Sequence, residues 1–371
     1  MEQPRLNLLL RTLIDHKGSD LHLSPGIEPR IRVDGEMIPL QMTALAGDHI
    51  QAVVQEVMDA PLRERWRDTE DLDFAYESLD LGRFRVNVYT GRRGVGAVLR
   101  VIPAVIPSAQ DLRLPAAITG LARIPNGLVL VTGPTGSGKS TTLAALVDLI
   151  NRQRAGHIIT IEDPVEFTHE SRTSIVTHRE VGRDVPSFPR ALRAALREDP
   201  NVVVVGEIRD VETMQLALSA AETGHLVFGT LHTSSATKTA NRVVDMMPPE
   251  RQQQVRTQFA DVLRAIVTQR LVRKRGGGRL GAYEILLNTT PVQNNIKENK
   301  PSLIEGAMND KASGMQTLER ALALMVVQGW VEEDEAMAAA NSPESLRTEV
   351  GSLRAPDRAV PAGAGAGSRP W

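Results

Sequence analysis

The chain contains no cysteine. Disulfides are therefore excluded, and so are zinc sites built on thiolates. Aromatic residues make up only 3% of the sequence. Its cores must be assembled from Ala, Leu, Val and Ile, and the stacking side chains of a single-stranded nucleic-acid platform are missing. Excess charge is missing too, with 43 Lys and Arg against 45 Asp and Glu, a net of −2. Nothing draws the whole chain towards nucleic acid or an acidic membrane surface, and no nucleic-acid partner is expected. No window reaches the roughly 18 apolar residues of a membrane span. The opening stretch MEQPRLNLLLRTLIDHKGSD carries charge from its start and reads as an amphipathic helix, not a signal peptide. The expectation is a cytoplasmic protein that reaches any membrane through a partner, without insertion.

The length of 371 residues suggests two domains. Residues 1–105 read as a mixed α+β unit. Leu6, Leu9, Leu10 and Leu13 recur at helical spacing, and Ser19 to Leu23 alternates as a strand. Asp34-Gly35 is a hairpin signal after Ile31-Arg32-Val33. Phe84, Val86 and Val88 alternate with Arg83, Arg85 and Asn87, which marks a half-buried strand. Residues 106–118 form a proline-marked linker, with Pro103, Pro107 and Pro115 in or beside it. From there to 345 the pattern is α/β. The apolar runs Leu128–Thr132, Ile158–Ile161, Val202–Val205 and Leu226–Phe228 suit strands of a parallel sheet buried on both faces. Helical patterns lie between them, one carrying Leu143, Leu146, Val147 and Ile150. Beyond about 285 the chain reads as helical, with Leu318–Val327 stopping near Gly329. Residues 346–371 are expected to be a disordered tail, since the last twenty or so are rich in Gly, Ala, Pro and Arg without periodicity.

The strongest signal is Gly133-Pro134-Thr135-Gly136-Ser137-Gly138-Lys139-Ser140-Thr141. It matches G-x-x-x-x-G-K-[ST] and lies between a buried strand and a helix, the context that gives this motif its meaning. Its glycines let the backbone close around phosphates with N–H groups pointing inward, and the helix start adds partial positive charge. Lys139 is placed to neutralise the β and γ phosphates of ATP, and the Ser140 hydroxyl to reach Mg²⁺.

Such a loop works with an acid at the end of a second strand. Val202-Val203-Val204-Val205-Gly206-Glu207 supplies one, the competing reading being a helix N-terminal glutamate. A second acidic cluster, Thr160-Ile161-Glu162-Asp163-Pro164-Val165-Glu166, offers a base to orient and deprotonate the attacking water. Spacing alone leaves Glu162, Asp163 and Glu166 open. His225 and His232 bracket another strand. Without cysteines or a carboxylate at ligand spacing they do not suggest a metal site. His232 reads as a γ-phosphate sensor or as a hydrogen-bonded core histidine. Arg83 and Arg85 share one strand face, with Arg100 on the next strand. They form either a solvated face or a row reaching phosphates, in cis or across a subunit boundary.

Taken together these motifs resemble the PilT group of the secretion and pilus ATPase superfamily. The similarity rests on Gly18-Ser19-Asp20-Leu21-His22-Leu23-Ser24, Arg83-Phe84-Arg85-Val86-Asn87, the phosphate loop and the Ile161–Phe167 segment. It continues with Gly206-Glu207-Ile208-Arg209-Asp210, Ala221–His225, Thr230-Leu231-His232-Thr233-Ser234 and Gly314–Leu318. The resemblance implies a PAS-like domain followed by a RecA-like ATPase domain, six such subunits in a ring, and ATP with Mg²⁺ as ligands. It implies Glu166 as catalytic base, Glu207 as the Walker B acid, and Arg83, Arg85 and Arg100 approaching the nucleotide. It also implies docking on an inner-membrane pilus platform protein (PilC-like), with ATP hydrolysis driving type IV pilus retraction. A PilU-like accessory paralogue is the alternative and a possible partner. An assembly or secretion ATPase is disfavoured because those usually carry a four-cysteine zinc module. In the family's retraction segment, here Pro291–Lys300, Gln293 stands for an arginine and Asn295 for a leucine.

Overall fold

The computed structural model describes residues 5–33, 35–67, 69–102, 105–310 and 313–355. Asp34 of the expected hairpin, Pro103 of the linker and all of 356–371 fall outside them. The strands in chain order are β1 (Asp20–Leu23), β2 (Arg30–Val33), β3 (Glu36–Pro39), β4 (Asp71–Ser78), β5 (Gly82–Gly91), β6 (Gly94–Ile102) and β7 (Gly127–Thr132). They continue as β8 (His157–Glu162), β9 (Ile175–Glu180), β10 (Val202–Val205), β11 (Leu226–Leu231), β12 (Leu263–Arg273) and β13 (Arg279–Leu287). The chain divides into two compact units, residues 1–108 with 143–207, and 109–142 with 208–371.

In the first unit, β1 to β6 form an antiparallel sheet in the order β3-β2-β1-β6-β5-β4. Leu6, Leu9, Leu10 and Leu13 fall on one face of the helix Arg5–Asp15, and all four are buried. They join a core containing Leu21, Phe84, Val86 and Leu99 from the sheet. Alternation along β5 sends Phe84, Val86 and Val88 inward and leaves Arg83, Arg85 and Asn87 on the other face. The same unit contains three parallel strands in the order β10-β8-β9. All four valines of β10 are buried, as befits a strand covered on both faces.

The second unit carries β13-β12-β7-β11. β7 pairs in parallel with β11 and β12, while β13 returns antiparallel to β12. Every residue of β7 and β11 is buried. The helix Lys139–Gln153 opens directly after the phosphate loop.

The structure departs from three expectations. The region beyond 285 is not entirely helical, because β13 runs to Leu287. The segment from 346 does not start as a disordered tail: Pro343–Arg354 is a helix capped by Ser342, whose side chain accepts from the Ser345 N–H. Leu346 and Val350, one turn apart, are buried in a cluster with Leu318 and Leu322, and this packing orders an otherwise polar segment. A short helix, Ala116–Gly120, also begins inside the stretch expected to be a linker.

Candidate nucleotide site

Four of the sequence motifs lie where a parallel strand ends at its carboxyl edge, which is where α/β sheets place ligands. β7 leads into the loop 133–138, β8 ends in Glu162, β10 is followed by Gly206-Glu207, and β11 is followed by His232.

In the second unit, Gly133, Gly136 and Gly138 have φ of 140°, 77° and 87°. These are conformations that glycine adopts without strain. Lys139 folds back over the loop. Its Nζ donates to the carbonyls of Gly133 and Pro134, each at 3.0 Å, and lies 3.5 Å from Nδ1 of His232. Ser137 is 3% exposed, and its buried hydroxyl has no hydrogen-bond partner among the described residues. Thr135 is exposed, and Ser140 and Thr141 in the first helical turn are half-buried. A cavity of about 430 Å³ beside Pro134–Ser137 is lined also by Arg270, Leu271 and Arg279. The left-handed glycines, the orphaned hydroxyl, the helix start and the folded-back ammonium together suit a polyphosphate. No group of three or more His, Cys, Asp or Glu among the described residues could hold a metal. A hydroxyl such as that of Ser140, in the first turn after the loop, suits Mg²⁺, which keeps waters and phosphate oxygens as most of its ligands.

In the first unit the acidic segment forms a buried relay. Nε2 of His178 accepts from the His169 backbone N–H at 2.9 Å, so the neutral ring carries its proton on Nδ1. That nitrogen is 2.8 Å from the Thr160 hydroxyl, which in turn hydrogen-bonds Glu162. Glu162, only 17% exposed, accepts from the Glu166 N–H at 3.4 Å. Burial pushes the Glu162 carboxyl up to about 7. The neighbouring Glu166 carboxylate adds to this, while the Thr160 hydroxyl, the Glu166 N–H and Arg83 work against it. Burial likewise lowers His178, and lowers His169 to about 4. Of the three candidate acids, Glu162 points inward, Asp163 is exposed and Glu166 is half-buried. Glu207 is half-buried, behind a Gly206 whose N–H donates to Ile161 O at 2.8 Å.

The three arginines are not equivalent. Arg83 is only 13% exposed and lies 3.7 Å from Glu77. Its Nε and Nη1 are buried without hydrogen-bond partners, and its charge acts on Glu162 and His178. Arg85 lies 3.5 Å from Asp73. Arg100 donates through Nε to Asp20 at 2.7 Å. His225 faces Ala220 O at 3.0 Å, at the carboxyl end of the helix Val211–Glu222, which is a capping position. Gln293 donates to Asp261 at 2.8 Å and Lys297 pairs with the same carboxylate at 2.5 Å, so the altered segment keeps a polar anchor. Sequence reading overlooked Thr160, His169, His178 and Gln269. Thr160, His178 and Gln269 lie in β8, β9 and β12, and His169 in the loop between β8 and β9; the only hint was polarity within strands that are otherwise apolar or paired.

The chain matches the family model described as type II/IV secretion system protein over residues 6–338. It is 46% identical over 329 residues to the type IV pilus retractation ATPase PilT of Pseudomonas aeruginosa, covering 88% of this chain and 96% of that protein. It is 43% identical over 320 residues to a twitching motility protein of Neisseria gonorrhoeae, covering 86% of each. A crystal structure of the pilus retraction motor PilT with bound ADP superposes with a TM-score of 0.86 at 44% identity, over 94% of this chain and all of that one. The chain belongs to the type II/IV secretion system protein family of ATPases.

Proposed function

We propose that this chain is the ATP-hydrolysing motor subunit that drives type IV pilus retraction. The observation that carries the reading is the phosphate loop, with Lys139 folded onto the Gly133 and Pro134 carbonyls and His232 beside it. The relatives' names supply the direction of work.

ATP is the substrate. Loop N–H groups and Lys139 bind its β and γ phosphates and leave the γ-phosphorus open to water. Glu166 orients that water and takes its proton as the new P–O bond forms and the bond to the β–γ bridging oxygen breaks. ADP and phosphate leave. Bound Mg²⁺ would neutralise charge on the phosphates, and Ser140 and Glu207 would hold it. His232, against Lys139, reports whether the γ-phosphate is present. Arg83, Arg85 and Arg100 complete the charge balance, within the subunit or from a neighbour in a homo-hexameric ring. No helix among the described residues is long and apolar enough to cross a membrane. The ring would work at the cytoplasmic face of the inner membrane, on a PilC-like platform protein.

The test is a count of surface pili on cells lacking the gene, with their twitching. Excess pili with no twitching is the expected result. Bald cells would reverse the direction of work, and normal pili with normal twitching would make the chain an accessory subunit.

A further inference from the structure

β12 is a buried central strand, yet two adjacent residues in its middle are polar: Thr268 is 1% and Gln269 2% exposed. Burying polar groups in such a place is costly unless they are paired. Neighbouring residues of a strand face opposite ways, and each of these finds a partner. The Thr268 hydroxyl is 2.9 Å from that of Thr132 at the end of β7. Gln269 Oε1 accepts from the Thr142 hydroxyl at 2.8 Å. Thr142 lies in the first turn after the phosphate loop, and its backbone N–H donates to Gly138 O at 3.0 Å. Tyr283 stands directly opposite Gln269 on β13, beside the same Thr142 side chain.

Gln269 also touches the loop itself. A Cβ at Gly133 would stand 2.3 Å from the Gln269 carbonyl oxygen, and one at Gly138 would stand 2.8 Å from its Nε2. The backbone of β12 at Gln269 thus leaves no room for a side chain at Gly133, and the Gln269 amide packs against Gly138. Register explains the approach: Thr268 pairs with Thr132, so the next residues, Gln269 and Gly133, emerge side by side.

We infer that Gln269 is a positioning residue for ATP, a strut whose side chain sets the curvature of the phosphate loop from behind through Thr142 and Gly138. It does not reach the reacting atoms. Its side chain fixes the first helical turn and bars the loop from relaxing towards β12, so the inward N–H groups are aligned before nucleotide arrives. The inference rests on the ATPase reading. Equilibrium affinity for ATP is therefore the primary readout, since it can be measured whether or not turnover drives retraction.

The experiment compares full-length wild type with Gln269→Leu, Thr142→Val, Thr142→Ser and the Gln269→Leu/Thr142→Val double variant. A fluorescent ATP analogue reports affinity, steady-state hydrolysis reports KM and kcat, and thermal melting reports the fold. Losing one buried hydrogen bond, with slackening of the loop, should weaken affinity and raise KM about tenfold. Thr142→Ser, which keeps the hydroxyl, should bind like wild type. The double variant should be no worse than the poorer single one, because both lose the same bond. Affinity within twofold of wild type in Gln269→Leu and Thr142→Val, with only melting lowered, would overturn the inference. So would losses that multiply in the double variant. If Gln269→Leu does not fold, the Thr142→Val and Thr142→Ser pair decides alone.

Discussion

Glu284 accepts a hydrogen bond from the Ala236 backbone N–H at 2.5 Å. The carboxyl lies on β13, 6% exposed, and meets the first residue of the helix Ala236–Asp245. That helix opens shortly after His232, so the contact anchors the turn carrying the proposed sensor. Burial raises the carboxyl from an ordinary value of 4.5 to about 7. Glu319 and Glu305 add to the rise, and the Ala236 N–H and Arg270 oppose it.

This gives the protein a pH signature. Between the unfolded and folded values of Glu284 the native state holds more proton than the unfolded chain. Its contribution to stability is therefore full below about 4.5, falls as pH rises through about 7, and levels off above. Glu284→Gln keeps an acceptor for Ala236 and cannot ionise. Urea unfolding should show the variant gaining on wild type by on the order of 1–3 kcal/mol between pH 5 and 8. Parallel pH profiles for the two proteins would refute the assignment.

Much of this fold can be read in the residues, and the exceptions have physical causes. β7, β10 and β11 announce themselves as unbroken apolar runs because both faces are covered. β12 does not, since Thr268, Gln269 and Arg270 interrupt it with polar groups that are satisfied only once Thr132, Thr142 and Ala339 are in place. β9 is hidden for the opposite reason: as the outer strand beside β8 it is largely half-buried, and IVTHRE carries little hydrophobic signal. The helix Pro343–Arg354 has only Leu346 and Val350 buried, too few for a periodic pattern beside a Gly/Ala-rich stretch. At the site, the phosphate loop is legible because its chemistry is local. The Thr160–His178 relay is not, because its members meet only when β8 and β9 pair.

The loop glycines should separate by mechanism. Gly136 has φ 77° but open space around it, so Gly136→Ala meets only the backbone penalty of about 1–2 kcal/mol. Gly133→Ala adds a clash, its Cβ lying 2.3 Å from the Gln269 carbonyl. Gly133→Ala should cost more stability than Gly136→Ala and abolish ATP binding. Denaturant melts with nucleotide titrations check this, and equal losses would contradict the close approach of loop and β12.

Arg83 offers a test of function against stability. Its Nε and Nη1 are buried without hydrogen-bond partners, and the ion pair of Nε with the exposed Glu77 at 3.7 Å only partly offsets what that costs the folded protein. Replacing it with an apolar residue of similar reach removes that cost. Arg83→Leu or Arg83→Met should melt no lower than wild type while hydrolysis falls by tenfold or more. An unchanged rate would show that the guanidinium serves no phosphate. A large drop in melting temperature would show that its role is structural.

Three acids in one segment could serve as base, and their surroundings predict different consequences of neutralising each. Glu162 is mostly buried, bonded by Thr160 and the Glu166 N–H, and raised to about 7, so much of it is already protonated near neutrality. Glu162→Gln imitates that form and should alter hydrolysis less than tenfold. Asp163 is exposed, and Asp163→Asn should do little in a single turnover. Glu166 is half-buried, with its backbone tethered to Glu162. If it takes the proton from water, Glu166→Gln should slow hydrolysis by roughly 10²- to 10⁴-fold, the usual contribution of a general base. ATP affinity should stay near wild type, because the lost interaction forms only as water attacks. Single-turnover hydrolysis beside equilibrium nucleotide binding distinguishes these outcomes. A large rate loss in Glu162→Gln with a small one in Glu166→Gln would transfer the role to Glu162. Near-wild-type rates in all three would mean that the segment binds without catalysing, and that the protein is a nucleotide-regulated scaffold.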